Sequence, residues 1–381
     1  MNMIKVGIVG IGSIAENYIE MFSKGLIKEA KLSALASRNQ DRLNGIIEKY
    51  GLSDTALFST LDEMIEGEEV DALIITTPHT LHPAMAMKAL KKNKHIMIEK
   101  PVGIRIKEVE ELFLKSKKKP HLKVGVMFNN RSSDTYNFVK KIIEDHKMGE
   151  LRRAIWQVTN LYRTYDYYER STWRGSYETE GGGVLINQAI HQLDTLLWMT
   201  DLPEKLMAFT REGFHRPLTA ENDVMIQMFY PNGASGQFIT STHESPGTNR
   251  FELSFSGGQI VIEDDSRVKI TWLSVDEEEF ARTAKGAFPE VPYEVEEISH
   301  LKLPNIVLQE RLLNNFIQSI LGNEEIICPL SEGIKSVRML NATYMSAWKE
   351  KMVPLNFDAN DYEEAYEAKI SQKKAGHVKL K

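Results

Sequence analysis

The sequence predicts two folds in succession. The first is an N-terminal α/β domain with a doubly wound parallel sheet. The second is a C-terminal α+β domain with a large open, mainly antiparallel sheet. Three observations carry this expectation. The chain has 381 residues, more than one hydrophobic core normally serves. Through its first third, short apolar runs alternate with helical patterns. After residue 128 the apolar runs lengthen and follow one another across turn signals such as "PNG" at 231–233 and "GG" at 257–258. The expected division is therefore 1–128 and 129–381.

The elements follow in order. Strands are expected at 5–9, 31–36, 70–76, 95–98 and 122–127, with helices between them at 40–50, 83–92 and 106–117. These strands are apolar nearly throughout, as strands covered on both faces should be. Helices are then expected at 134–148 and 184–199. Strands are expected at 151–161, 206–211, 224–230, 236–242, 251–255, 259–263 and 268–272. Consecutive strands joined by short turns make an antiparallel sheet. An apolar open face needs cover, which a second copy of the chain supplies in a homodimer or homotetramer. Helices close the chain at 307–321, 333–351 and 361–373, ahead of a basic tail expected to fray.

Composition narrows the class. A formal charge of −6 and no clustered basic face predict no nucleic-acid partner. The Lys-rich run at 115–119 reads as a solvated helix end. No stretch approaches the roughly 18 apolar residues of a membrane span, and the apolar N-terminus runs straight into glycines. The single cysteine, Cys328, excludes an intrachain disulfide and a thiolate metal cluster. A cytoplasmic protein is expected.

"GIVGIGSIA", residues 7–15, holds G-x-G-x-x-A between an incoming strand and an outgoing helix. Gly10 permits the tight turn. Gly12 lets a pyrophosphate approach the backbone, and the N–H groups of Ser13 and Ile14 open the helix toward the anion. Ala15 allows close helix–strand packing. This predicts a dinucleotide site, and so a Rossmann domain. The second strand ends on Ser37 and Arg38, where an NAD site usually carries an acid. A hydroxyl and a guanidinium suit a 2′-phosphate, so NADP is favoured. Asp41 leaves NAD open.

In a doubly wound sheet, ligands bind beyond the carboxyl ends of the strands. Two loops meet that rule. One is "TTPHTLHP" at 76–83, with Thr77, Pro78, His79 and His82. The other is "EKP" at 99–101, with Glu99 and Lys100. Pro101 stiffens the backbone behind the lysine. The two histidines lack close carboxylate spacing, so no metal is expected.

"EGGGVLINQAIHQLD", 180–194, gives a buried helical face at 185, 186, 189, 190, 193, 196 and 197. Asn187, His191 and Asp194 form a polar stripe on the other side. Together with the glycine loop and "EKP", this stretch resembles the Gfo/Idh/MocA oxidoreductase family, which includes glucose–fructose oxidoreductase and inositol dehydrogenase. The similarity runs in order along nearly the whole chain. It implies that Lys100 lies between nicotinamide and substrate, and that His191 is the acid/base. Asn187 stands where many family members have aspartate. An amide can orient a hydroxyl but cannot raise the histidine's basicity by charge.

"NLYRTYDYYERSTWRG", 160–175, is rich in Tyr and Arg. Its aromatic faces and polar edges suit a sugar or cyclitol ring, with Arg163, Trp173 and Arg174 as expected contacts. The leading expectation is an NAD(P)-dependent dehydrogenase or reductase acting on a secondary hydroxyl or carbonyl of a sugar, cyclitol or glycoside. Two others stand beside it. One is redox-neutral glycoside cleavage through transient oxidation by a bound cofactor. The other is a non-catalytic sugar-sensing regulator.

Overall fold

The computed structural model describes residues 3–170, 173–300 and 302–378. The last three residues of the basic tail lie outside that range. In chain order the elements begin β1 (Ile4–Val9), α1 (Ser13–Ser23), β2 (Ala30–Ala36), α2 (Gln40–Tyr50), β3 (Ala56–Phe58), α3 (Leu61–Glu66), β4 (Ala72–Ile75), α4 (His82–Lys91), β5 (His95–Ile98), α5 (Ile106–Lys117) and β6 (Val124–Val126). Then come α6 (Asp134–Glu144), β7 (Leu151–Val158), α7 (Tyr165–Glu169), α8 (Val184–Asn187), α9 (Ile190–Thr200), β8 (Lys205–Glu212), β9 (Glu221–Phe229), β10 (Ser235–Ser241), β11 (Asn249–Phe255), β12 (Gly258–Glu263), β13 (Arg267–Leu273), α10 (Glu277–Thr283) and β14 (Tyr293–Ser299). The chain closes with α11 (Asn305–Leu321), α12 (Leu330–Lys349), β15 (Val353–Pro354) and α13 (Ala359–Val378).

The chain divides into two compact units. One comprises Met1–Ser132 with Pro304–Arg338, the other Ser133–Leu303 with Met339–Lys381. The first holds a six-stranded sheet in the order β3-β2-β1-β4-β5-β6, and every pairing in it is parallel. The order reverses beside β1, so the ends of β1 and β4 form the crevice of a doubly wound sheet. Val6, Ile8, Ala72, Ile74 and Met97 are buried, as the apolar runs require.

The sequence predicts that everything after residue 128 belongs to the second domain, whereas α11 belongs to the first unit. Leu312, Leu313, Phe316 and Ile317 bury one face of α11 in the core that holds β1 and α1. Each such side chain contributes roughly 1.5–3 kcal/mol, which is enough to recruit a helix distant in sequence. The Val126 N–H donates to Cys328 O at 2.9 Å and fastens the following segment to β6.

The second unit holds a nine-stranded sheet, β14-β13-β12-β11-β7-β10-β9-β8-β15, with one parallel pairing, β7 with β10. Its inner face is apolar. Trp156 stacks on Phe251 at 4.2 Å and meets Phe238 edge-on, and α9 packs on β7 while α8 packs on β9. Its outer face carries Phe209 (58% exposed) directly opposite Met225 (48% exposed), which in turn pairs with Ile239. Strand β14 is legible in neither burial nor hydrophobicity. "YEVEEIS" is an edge strand that is exposed almost throughout. Among the described residues, no helix is long and apolar enough to cross a membrane.

Candidate active site

In the first unit, β1 runs into Gly10 at φ +92°. A Cβ there would lie 2.6 Å from Thr77 Cγ2 and 2.8 Å from Thr77 N, so both backbone angle and space demand glycine. Thr76 Oγ1 donates to Gly10 O at 2.6 Å, tying the turn to the loop after β4. Gly12 differs: a Cβ there would meet nothing within 4 Å. Helix α1 begins at the next residue without a side-chain cap. An open backbone beside uncapped helix N–H groups fits a dinucleotide pyrophosphate. Ala15 is fully buried, as close packing of α1 on the sheet requires.

Ser37 follows β2 and its Oγ accepts the Asn39 N–H at 3.2 Å. Asn39 in turn caps α2 through the Arg42 N–H. Arg38 and Asp41 are both exposed beside this cap.

The loop after β5 is braced from within. Glu99 is buried, and its Oε1 accepts the Tyr18 hydroxyl from α1. Its Oε2 accepts the Lys100 N–H at 3.0 Å. Burial pushes the Glu99 carboxyl above its ordinary pKa, and the Lys100 charge opposes that rise. The Lys100–Pro101 peptide is cis. His82 is fully buried, with Nδ1 2.8 Å from Pro101 O and Nε2 2.6 Å from Thr77 O. Burial lowers its pKa against the pull of these two carbonyls. The sequence predicts that His82 and Glu99 face a cofactor. Their side chains instead lie inside the protein, where His82 buckles the Thr77 loop to the Pro101 loop. His79 is also buried, its ring 5.9 Å from that of His82. Thr77 is half-buried and Pro78 exposed.

In the second unit the helix expected over 184–199 is interrupted. Helix α8 stops at Asn187, and the Ala189 N–H reaches back five residues to Val184 O at 2.8 Å. This one wide turn, of the kind common at functional sites, restarts the helix as α9. The apolar face is buried as expected. Asp194 is buried too, so the stripe reduces to Asn187 and His191, both half-buried.

Two carboxylates hold this turn. Glu180 is buried; its Oε1 accepts the Asn187 amide N–H, and its Oε2 accepts the Gly175 N–H at 2.6 Å. The acid that position 187 lacks is thus present one contact away, and it fixes which end of the Asn187 amide is the acceptor. Glu221, at the start of β9, is fully buried. It accepts the N–H of Gly183 at 2.9 and 3.0 Å, that of Leu185 at 3.1 Å, and the Tyr344 hydroxyl at 3.0 Å. Burial pushes its carboxyl up to about 7, against the lowering pull of those donors. Both carboxylates, like Tyr18, escape a reading of the sequence. Glu180 has one signal, its place directly before three glycines.

The segment 160–175 sits beside this turn. The Gln188 Nε2 donates to the Tyr167 hydroxyl at 3.0 Å. The guanidiniums of Arg174 and Arg163 lie 4.3 and 5.2 Å from the Tyr167 ring centre. Trp173 is 37% exposed, with Arg174 5.5 Å from its ring.

The parallel sheet and the glycine turn together define a Rossmann domain of the dinucleotide-binding kind. Family comparison agrees: residues 4–128 match "Oxidoreductase family, NAD-binding Rossmann fold", and residues 136–261 match "GFO/IDH/MocA C-terminal domain". The chain belongs to the GFO/IDH/MocA family.

Individual relatives are distant. A glucose-6-phosphate 3-dehydrogenase of Bacillus subtilis (strain 168) is 27% identical over 199 residues, covering 51% of this chain and 53% of that protein. A scyllo-inositol 2-dehydrogenase (NADP(+)) of the same organism is 26% identical over 209 residues, covering 54% of this chain and 61% of that protein. The chain thus spans just over half the length of these relatives. Among solved structures, the WlbA dehydrogenase of Bordetella pertussis in complex with NADH and UDP-GlcNAcA has a TM-score of 0.75 at 24% identity. That match covers 93% of this chain and 100% of the other.

Proposed function

We propose that the protein is a dehydrogenase or reductase for a secondary hydroxyl or carbonyl on a sugar or cyclitol, with NADP preferred over NAD. The observation that carries this is the pairing of a left-handed Gly10 with an unobstructed Gly12 at an uncapped helix start. Family membership and the names of the relatives supply the substrate class. When bound, the nicotinamide supplies or takes the hydride.

The chain does the rest. Gly12, Ser13 and Ile14 hold the pyrophosphate, with Thr77 and Pro78 alongside. Ser37 and the exposed Arg38 hold a 2′-phosphate. Lys100, its backbone fixed by Glu99, donates to the reacting oxygen and stabilises charge that develops there. His191 takes the hydroxyl proton in oxidation and returns it in reduction. Asn187, turned by Glu180, accepts from a neighbouring hydroxyl. Arg163, Trp173 and Arg174 border the ring. The apolar row Phe209, Met225 and Ile239 on the outer sheet face is the surface on which two copies pair.

A panel of sugars, inositols and glycosides, followed by absorbance with each cofactor, tests the reaction. On the substrate found, Lys100→Ala and His191→Ala should each lose roughly a hundredfold or more in kcat while still binding cofactor. Near-wild-type turnover in both removes the mechanism. Arg38→Ala should weaken NADPH roughly tenfold more than NADH, since a charged hydrogen-bond partner of the phosphate is lost. Equal weakening of the two removes the NADP preference.

A further inference from the structure

We propose that the substrate carries an oxyanion, phosphate or carboxylate, and that Arg163, Arg174 and Arg216 bind it. This deepens the sugar-dehydrogenase reading and rests on it.

The argument begins with charge. Arg174 and Arg163 share the Tyr167 ring, at 4.3 and 5.2 Å from its centre. Arg216 joins them. Its Nε donates to Arg163 O at 2.5 Å, and its guanidinium lies 4.8 Å from the Tyr162 ring and 5.8 Å from the Tyr165 ring. Among the described residues, none of the three makes an ion pair with a carboxylate. Arg170, in the same segment, shows the contrast: its Nε meets Asp166 at 2.7 Å. Three cations held together without a counter-ion repel one another, and an anionic ligand removes that cost.

Geometry adds to the charge. A guanidinium seated by its face on an aromatic ring keeps its N–H edge for hydrogen bonds. Nη1 of Arg163 and of Arg174 turns to backbone carbonyls, as do Nε and Nη1 of Arg216, and the remaining N–H groups of each fork match the oxygens of a phosphate or carboxylate. Two polar atoms flanking Tyr167 are buried and find no partner among the described residues: Arg174 Nε, a donor, and Gln188 Oε1, an acceptor. A buried polar atom without a partner costs free energy, and a ligand is one way to satisfy it. A sugar bearing an oxyanion offers both complements, an acceptor for the arginine and a hydroxyl for the amide. Gln188 directly follows Asn187, so the cationic group adjoins the turn assigned to the reacting hydroxyl.

The test is calorimetric. The full chain, saturated with reduced cofactor, is titrated with glucose, galactose and mannose, each as the neutral sugar, the 6-phosphate and the uronate. At least one anionic form should bind tenfold or more tightly than its neutral parent. In Arg163→Gln/Arg174→Gln that advantage, read as the ratio of anionic to neutral affinity within the same variant, should shrink to threefold or less. Arg174→Lys, which keeps the charge and loses the fork, should fall between. Matching thermal melts show that the variants fold. The phosphate and uronate arms tell which oxyanion is read. Equal binding of neutral and anionic forms, or an anionic advantage that survives the double variant, overturns this inference and leaves the dehydrogenase reading standing. Binding of no sugar of either kind overturns this inference, and failure of the absorbance panel of sugars, inositols and glycosides as well overturns the dehydrogenase reading.

Discussion

The cofactor turn of the first unit and the 180–191 turn of the second are built on different principles. The first is backbone chemistry. Gly10 is required by its φ of +92° and by Thr77, while Gly12 leaves an open approach. The second is held by buried carboxyl groups. Glu221 gathers the N–H groups of Gly183 and Leu185, and Glu180 gathers those of Gly175 and Asn187. A backbone device tolerates no side chain at its key position. A carboxyl device depends on its protonation state and on the satisfaction of its donors, so it should respond to pH and to isosteric substitution.

The largest expected effect tests that dependence. Glu221→Ala strands two backbone donors and the Tyr344 hydroxyl in a buried place. Each stranded group costs about 1–3 kcal/mol, so a loss on the order of 4 kcal/mol is expected in denaturant unfolding. A loss under about 1 kcal/mol would mean that water replaces the carboxylate and that the turn stands without it. Glu221→Gln separates charge from shape. With a native pKa of about 7 against an ordinary 4.5, the folded protein keeps a proton that the unfolded chain releases between those values. The unfolded state binds fewer protons there, so stability falls as pH rises from 4.5 to 7 and levels off above. The fall attributable to Glu221 is about 3 kcal/mol. Subtracting the Glu221→Gln profile from the wild-type profile should isolate it, and a flat difference would place the group's pKa near its ordinary value.

This contrast also explains what the sequence makes legible. Gly10, Gly12 and Ala15 announce themselves because a backbone requirement restricts residue type at fixed spacing. Lys100 stands out because a proline follows it. The carboxylates do not, because burial of an acid is a tertiary fact. Glu221 lies 38 residues from the Gly183 N–H it accepts. The wide turn at Ala189 is equally hidden, since the apolar spacing reads as one helix and nothing in it marks where an N–H reaches back five residues. Helix α11 is legible as a helix, but the sequence assigns it to the wrong unit. Its amphipathic face shows that it packs, and not against which sheet.

The next expected effect sharpens the backbone side. Gly10→Ala forces a Cβ onto Thr77 at a left-handed φ, and should cost roughly 1–3 kcal/mol of stability. Gly12→Ala meets no protein atom, so unfolding should barely change. Its Cβ occupies the pyrophosphate's approach, and cofactor affinity should fall tenfold or more by fluorescence titration. If Gly12→Ala binds cofactor normally, the dinucleotide does not cross that turn.

The smallest expected effect tests the link between Glu180 and Asn187. In Glu180→Gln one end of the new amide is a donor, and it must face either the Gly175 N–H or the Asn187 amide, both of which also donate. The cheaper relief is rotation of the Asn187 amide, which removes the acceptor offered to the substrate. Stability should drop by only about 1 kcal/mol, because the backbone bond to Gly175 can be kept. The kinetic signature is more telling. A purely structural role for Glu180 would leave kcat intact in the folded fraction. A positioning role should lower kcat by roughly tenfold, since the hydrogen bond that orients the substrate through the hydroxyl next to the reacting one is misdirected. Asn187→Asp in the same background gives the decisive comparison. A carboxylate at position 187 accepts from either face and cannot be turned the wrong way, and it would accept from the new amide at position 180 as readily as from substrate. Recovery of kcat in Glu180→Gln/Asn187→Asp would show that Glu180 acts by orienting position 187, and no recovery would confine it to bracing Gly175.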